Sequence, residues 1–211
     1  MEIHTGVKVT MDRVREINPD VVVVASGSTP LRKVFATSRL AEVDIPGADQ
    51  EHILTLNDVF NEKIPIGERV VIIDDDGTQR TWGVAEWLAE KGKSVEVITE
   101  RASAESAKLP LIWVDKYCLE RLSEKGVKIT TSTEVTKIEA NSVSVLNRIR
   151  NEAYTVEGVD NVIVIGVNSP NDSLYFEIKN SGIVAHRIGD CVAPRSLEYA
   201  IWEGEEAGRQ I

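Results

Sequence analysis

The feature that most constrains the fold is a strand–helix–strand unit between residues 69 and 98. Arg69-Val70-Val71-Ile72-Ile73 is apolar and β-branched without alternation. That is the pattern of a strand buried on both faces, as in a parallel sheet. Asp74-Asp75-Asp76-Gly77 reads as a turn. Val84, Ala85 and Leu88 recur at helical spacing and predict a helix from about Arg80 to Lys91, which Gly92 ends. Ser94-Val95-Glu96-Val97-Ile98 is the returning strand. A βαβ unit commits the chain to an α/β layered architecture, because the crossover helix must pack on the sheet.

Other segments extend this frame. Val21–Ala25, Asn161–Gly166 and Ile183–Ile188 read as further buried strands. Thr10 and Thr55 stand where they can cap short helices, the first carrying Val14 and Ile17, the second Val59 and Phe60. Trp113 to Lys125 reads as a helix with Tyr117, Leu119 and Leu122 as core residues, followed by Gly126 and a strand over Val127–Thr130. The short alternating signals from Glu134 to Val156 predict an antiparallel meander, and Arg195 to Ile211 a closing helix. The strands Val70–Ile73, Val95–Ile98 and Val127–Ile129 should be neighbours, the first central, with helices on both faces of the sheet. Val21–Ala25 and Ile183–Ile188 should pair in a separate partial sheet.

Charge and cysteine usage exclude several function classes. Against 24 basic residues stand 34 acidic ones in 211, a net charge of −10. Such a surface repels phosphate backbones, so nucleic acid is not the expected partner. The longest apolar runs are too short to span a bilayer, and no basic segment followed by an apolar one opens the sequence. Neither a membrane nor a secretion route is therefore expected. Cys118 and Cys191 cannot make a disulfide framework and fit a reducing, cytoplasmic setting. The three histidines and two cysteines are too widely spaced for a metal site.

Three turns are candidates for chemistry. The β–α turn after Ile73 stands where a dinucleotide's pyrophosphate meets a helix N-terminus. Here the usual G-x-G-x-x-G is replaced by Asp74-Asp75-Asp76-Gly77. Carboxylates repel a pyrophosphate but are stabilised at a helix N-terminus. Either the aspartates cap the helix in place of a phosphate, or a nucleotide docks by its adenosine part, with Glu100 on a ribose hydroxyl. The turn Ala25-Ser26-Gly27-Ser28-Thr29-Pro30 follows a buried strand and is small enough for close approach to a flat ligand. Gly189-Asp190 follows another strand, where a carboxylate either accepts bonds from sugar hydroxyls or caps a helix. Cys191 beside Asp190 reads as a small structural residue, since a carboxylate neighbour weakens a thiol nucleophile. The four tryptophans, Trp82, Trp87, Trp113 and Trp202, read as packing residues.

Taken in order, V-V-V-V-A-S-G-S-T-P, V-V-I-I-D-D-D-G and the closing I-G-D-C-V-A-P-R-S-L-E-Y-A-I-W-E-G resemble the C-terminal part of the multidomain NADH:flavin oxidoreductases. That family includes trimethylamine dehydrogenase, histamine dehydrogenase and 2,4-dienoyl-CoA reductase. The acidic turn looks more like the amine dehydrogenase branch. The resemblance implies nested Rossmann-like domains of the glutathione reductase type: a truncated outer FAD- or ADP-binding domain (1–51 and 159–211) and an inner NAD(P)-type domain (52–158).

It further implies that Ala25, Ser26 and Gly27 match the A-T-G turn of the outer domain. Gly189 and Asp190 would match its G-D motif, and Gly77 and Glu100 the inner nucleotide site. FAD or ADP is the cofactor expected of the parent protein, with NAD(P)H disfavoured by the lost glycine motif. An N-terminal TIM barrel with FMN and an iron–sulfur cluster would lie upstream, and an electron-transferring flavoprotein would accept electrons. The sequence is thus expected to be a non-catalytic fragment, and because truncation of a parallel sheet exposes an apolar edge, it should either pair with another copy as a homodimer or leave residues 1–50 poorly ordered. The alternative is a relic α/β module that serves as a docking surface for a partner subunit or electron carrier.

Overall fold

The computed structural model describes residues 2–36, 41–61, 64–104 and 112–211. In chain order the elements are α1 (Met11–Ile17), β1 (Val21–Val24), β2 (Ser28–Pro30), β3 (Lys33–Ala36), β4 (Ala41–Asp44), β5 (Ile53–Leu54), α2 (Leu56–Phe60), β6 (Arg69–Asp74), α3 (Gln79–Glu90) and β7 (Ser94–Thr99). There follow α4 (Ile112–Glu124), β8 (Lys128–Thr130), β9 (Thr133–Glu139), β10 (Ser142–Asn147), β11 (Glu152–Glu157), β12 (Asn161–Ile165), β13 (Asn168–Pro170), α5 (Ser173–Asn180), β14 (Val184–Arg187) and α6 (Leu197–Gln210). A short 3-10 turn, Gly189–Cys191, lies between β14 and α6.

The chain divides into two compact units. One comprises residues 1–29 and 168–211, and the other residues 30–167. The inner unit is thus inserted into the sequence of the outer one. The second crossing falls after Val167 and not at residue 158, because β12 belongs to the inner sheet. The first falls after Thr29 and not at residue 51, because the inner unit begins at Pro30, ahead of β3 and β4.

The inner unit is built on a five-stranded parallel sheet of order β5-β12-β6-β7-β8. As expected, β6, β7 and β8 are neighbours, and β6 is central. Every side chain of β6 beyond Arg69 is buried, and so is every side chain of β12. That explains why both strands read as unbroken apolar runs: each has a covering layer on both sides. On one face Val70, Ile72, Val97 and Ile163 pack with Trp82, Val84, Ala85 and Leu88 of α3 and Leu122 of α4.

The expectation of helices on both faces is not met. The other face, with Val71, Ile73, Val162 and Val164, is covered by the meander β9–β10–β11 through Ile138, Val143, Val145 and Val156. Alternation along these strands supplies an apolar sheet face where a helix would otherwise be needed. A bidentate pair ties the helices on the first side, Arg121 to Glu86 at 2.7 and 3.0 Å.

In the outer unit β1 and β14 pair in parallel, with Val24 opposite Arg187. Val14 of α1, Val24, Ile178 of α5 and Cys191 form its small buried core. The helix over Ser173–Asn180 and the short strands β2 and β13, which pair with each other, were not legible in the sequence. Trp82 is buried in the inner core, but Trp202 is 68% exposed, against its reading as a packing residue. The side chain of Trp113 lies outside the described residues.

Candidate functional site

In the outer unit the two candidate turns converge because β1 and β14 run parallel and end together. Ile188 donates its N–H to the carbonyl of Val24 at 3.0 Å, so the segments that follow the two strands start side by side. Ala25 and Ser26 are exposed just beyond β1, and Gly27 takes φ +71°. No heavy atom lies within 4 Å of where a Gly27 side chain would begin, so positive φ and not crowding selects glycine here.

Ser28 donates its hydroxyl to Asp190 Oδ2 at 2.9 Å and accepts from Asn168 Nδ2 at 2.9 Å. The other carboxylate oxygen, Oδ1, accepts the Arg195 N–H at 3.1 Å. Gly189, at φ +66°, donates its N–H to Glu203 at 2.7 Å, and Ala200 of α6 packs where a β-carbon would sit. Ser26 hydrogen-bonds the Asn171 carbonyl and reaches Cys191 Sγ at 3.3 Å. The Asn171 N–H bonds the Gly27 carbonyl at 3.0 Å.

Of the five outer-site residues expected, Ser26, Gly27, Gly189 and Asp190 therefore belong to one polar cluster, and Ala25 leads into it from β1. Ser28, Asn168, Asn171 and Glu203 support it, and sequence reading missed all but the first as participants. Ser28 was visible in the turn. Nothing in the sequence marks Asn168 and Asn171, whose partners lie about 140 residues away.

In the inner unit the acidic turn has a different logic from the one expected. The N-cap of α3 is Thr78, not an aspartate. Asp74 Oδ1 accepts the Gly77 N–H at 3.0 Å and the Thr81 hydroxyl at 2.5 Å, which folds the turn back on the strand. Asp74 is only 3% exposed, and burial pushes its carboxyl above the ordinary 3.8 despite the Thr81 hydroxyl, the Gly77 amide and the nearby Arg101 charge. Asp76 pairs with Arg80, at 2.9 Å.

Arg101 lies across the turn and donates to the carbonyls of Asp75 and Asp76 at 3.4 and 3.3 Å. Its Nε stands 2.3 Å from where a Gly77 β-carbon would be. The turn is thus partly neutralised by two arginines, and the space against Gly77 is filled by a guanidinium. The three carboxylates of the turn are therefore not bare, which weakens repulsion as a reason to doubt a phosphate there. Arg101 follows Glu100 directly, but only the folded turn brings it to Gly77.

Glu100 lines a separate cavity of about 170 Å³ at the carboxyl ends of β6 and β7. Ile73 and Ile98 form apolar walls, and Asp44, Asp74, Asp75 and Glu134 are the other acidic residues around it. Among the described residues no basic side chain lines this cavity. Among the described residues, too, no group of three or more His, Cys, Asp or Glu side chains is placed to hold a metal ion. No helix among them is long and apolar enough to cross a membrane.

No family model matches the chain. Individual relatives do. An N,N-dimethylglycine/sarcosine dehydrogenase of Chromohalobacter salexigens is 22% identical over 96% of this chain and 33% of its own length. A cinnamate reductase of Clostridium sporogenes is 26% identical over 100% of this chain and 29% of its own. Among solved structures, a 6-hydroxypseudooxynicotine amine oxidase of Pseudomonas geniculata superposes with a TM-score of 0.86 and 26% identity, over 96% of this chain and 30% of that one. A flavoprotein disulfide reductase of Escherichia coli shares the fold alone, with a TM-score of 0.63 and 16% identity over 89% of this chain and 43% of its own. The chain spans about a third of the length of the curated relatives it matches.

Proposed function

We propose that the chain, which matches flavin-dependent dehydrogenases and reductases over about a third of their length, is a C-terminal region of the NADH:flavin oxidoreductase family and the nucleotide-binding portion of such an enzyme, without catalysis of its own. In this reading residues 1–29 and 168–211 are the outer, FAD- or ADP-type domain. Residues 30–167 are the inner, NAD(P)-type domain of a nested Rossmann-like pair.

The observation that carries the reading is the junction of the Ser26-Gly27-Ser28 turn with Gly189-Asp190 at the carboxyl ends of two paired parallel strands. Ligands of α/β sheets bind at that end of the strands. An acidic side chain held there by Ser28 still offers lone pairs to sugar hydroxyls. The positive-φ Gly27, open on its side-chain face, lets a ligand approach the backbone. Gly77 and Glu100 would belong to the inner domain's nucleotide site, with the Arg101 guanidinium against Gly77 in this structure and an adenosine moiety at Glu100. The substrate chemistry, an FMN-bearing barrel with its iron–sulfur cluster, and contact with an electron-transferring flavoprotein fall to the rest of the parent protein.

The test is native mass spectrometry of the intact parent protein after gentle purification. The expected result is a non-covalently held ADP or FAD that is lost in Asp190→Ala while any flavin bound elsewhere remains. Retention of every nucleotide by that variant would contradict the assignment.

A further inference from the structure

Every polar atom of Asn171, on backbone and side chain alike, is bonded to one turn, the Ser26–Thr29 segment at the outer candidate site. We propose that Asn171 is the positioning residue of that site: it holds the turn in its binding shape before a ligand arrives, and nucleotide affinity depends on it. This role rests on the nucleotide reading of the outer unit.

The bonds run to both ends of the turn. The Asn171 N–H donates to the Gly27 carbonyl at 3.0 Å, and Nδ2 donates to the Ser26 carbonyl at 3.1 Å. The Asn171 carbonyl accepts the Ser26 hydroxyl, and Oδ1 accepts the Thr29 hydroxyl at 2.8 Å. The side chain thus bridges Ser26 and Thr29 with one donor and one acceptor on a single short amide. Asparagine has that pair; aspartate offers acceptors alone, and alanine neither.

The turn is where such a restraint matters. Gly27 takes φ +71°, and no heavy atom lies within 4 Å of where its side chain would begin. Side-chain packing does not hold this residue, and glycine has the most backbone freedom to lose on ordering. A turn already ordered by Asn171 binds a ligand without that loss.

Asn171 is in turn anchored from the strand that delivers Asp190. The next residue, Asp172, accepts a bond from Arg187 Nη1 at 2.9 Å. The Arg187 guanidinium lies 5.1 and 5.2 Å from the ring centres of Tyr175 and Phe176. Arg187 is the last residue of β14, just ahead of Gly189-Asp190. One strand therefore fixes both the carboxylate and, through Asp172, the residue that shapes the opposite turn.

The test compares the ¹⁵N-labelled 211-residue chain with Asn171→Ala, Thr29→Val and the double variant. Each is titrated with ADP and separately with FAD, and its urea midpoint is measured. Asn171 is exposed, so the alanine variant opens no cavity, keeps both backbone bonds and should unfold at the wild-type midpoint. Without ligand, the order parameters of its Gly27 and Ser28 amides should fall from about 0.85 toward about 0.6. Its dissociation constant should rise about tenfold. Thr29→Val should raise the constant by less, and should add nothing in the Asn171→Ala background, where its bond is already gone. Wild-type binding that Asn171→Ala leaves unchanged overturns the inference and leaves the nucleotide reading standing. A loss of affinity matched by a lowered urea midpoint, or additive effects of the two substitutions, also overturns it. No binding of ADP or FAD by the wild type at about 10 mM overturns the nucleotide reading, and this role with it.

Discussion

Gly77 is the residue at which local backbone and tertiary packing agree most tightly. Its φ of +59° disfavours any side chain, and the Arg101 guanidinium fills the space a side chain would take. Gly77→Ala should destabilise the inner unit by about 1–3 kcal/mol, as strain plus displacement of Arg101. Urea denaturation followed by tryptophan fluorescence measures this. A value near zero would mean that the turn shifts freely.

Asp74 makes a pH prediction of a definite sign. Folding raises its pKa above 3.8, so the native state holds this proton more tightly than the unfolded chain does. The stabilising contribution is complete below pH 3.8 and is lost as pH rises through the folded-state value. Asp74→Asn should therefore be more stable relative to wild type at pH 7 than at pH 3.5. Glu86, held below its ordinary 4.5 chiefly by the Arg121 hydrogen bonds, works in the opposite direction, and its contribution is lost on acidification. Comparison of denaturation midpoints at the two pH values for wild type, Asp74→Asn and Glu86→Gln separates the two. A pH-independent difference for Asp74→Asn would contradict the burial argument.

At the scale of elements, α2 depends on its start. Thr55 accepts the Asp58 N–H at 3.4 Å, and Asp58 returns the bond to the Thr55 N–H at 2.8 Å, a reciprocal cap on a five-residue helix. Thr55→Ala should cost about 1 kcal/mol and loosen amide protection in α2 first. Leu88, fully buried between α3 and the sheet, should cost about 2–5 kcal/mol on truncation to alanine. Hydrogen exchange and urea titration distinguish local from global loss.

The same contrast explains what the sequence made legible. β6, β7, β12 and α3 were readable because burial on both faces or one face imposes a dense local pattern. The pairs β3–β4 and β2–β13 were not, because strands of three or four residues are defined by distant partners such as Val34 with Val43. At the outer site the strand-end turns were visible, whereas Asn168 and Asn171 enter it only through folding. The meander over one sheet face was read as strands, but its role as a covering layer was not, since alternation does not say which face a strand covers.

At the scale of the whole molecule, exposed apolar side chains concentrate in the outer unit. Leu197, Ile201 and Trp202 on α6 and Val23 and Val184 on the β1–β14 pair all face solvent. A two-stranded sheet with unpaired edges and such side chains invites association. The isolated chain should therefore self-associate at micromolar or higher concentration, which sedimentation equilibrium reads directly. Trp202→Glu should shift it toward monomer. A wild type that stays monomeric at about 100 μM would contradict this.

In the proposed reading the phosphate-bearing nucleotide is held in the outer unit at Ser26-Gly27 and Gly189-Asp190, and the acidic turn at Gly77 is not a phosphate site. The most direct measurement is a residue-resolved NMR titration of the chain with ADP and with NADPH. The expected result is weak, saturable ADP shifts clustered at Ser26, Gly27, Gly189 and Asp190, reduced at least about tenfold in affinity by Asp190→Asn, with the Gly77 and Arg101 amides unmoved by either ligand. Micromolar NADPH binding that shifts Gly77 and Arg101 and leaves the outer turns untouched would show that the acidic turn is a working phosphate site, and would contradict it.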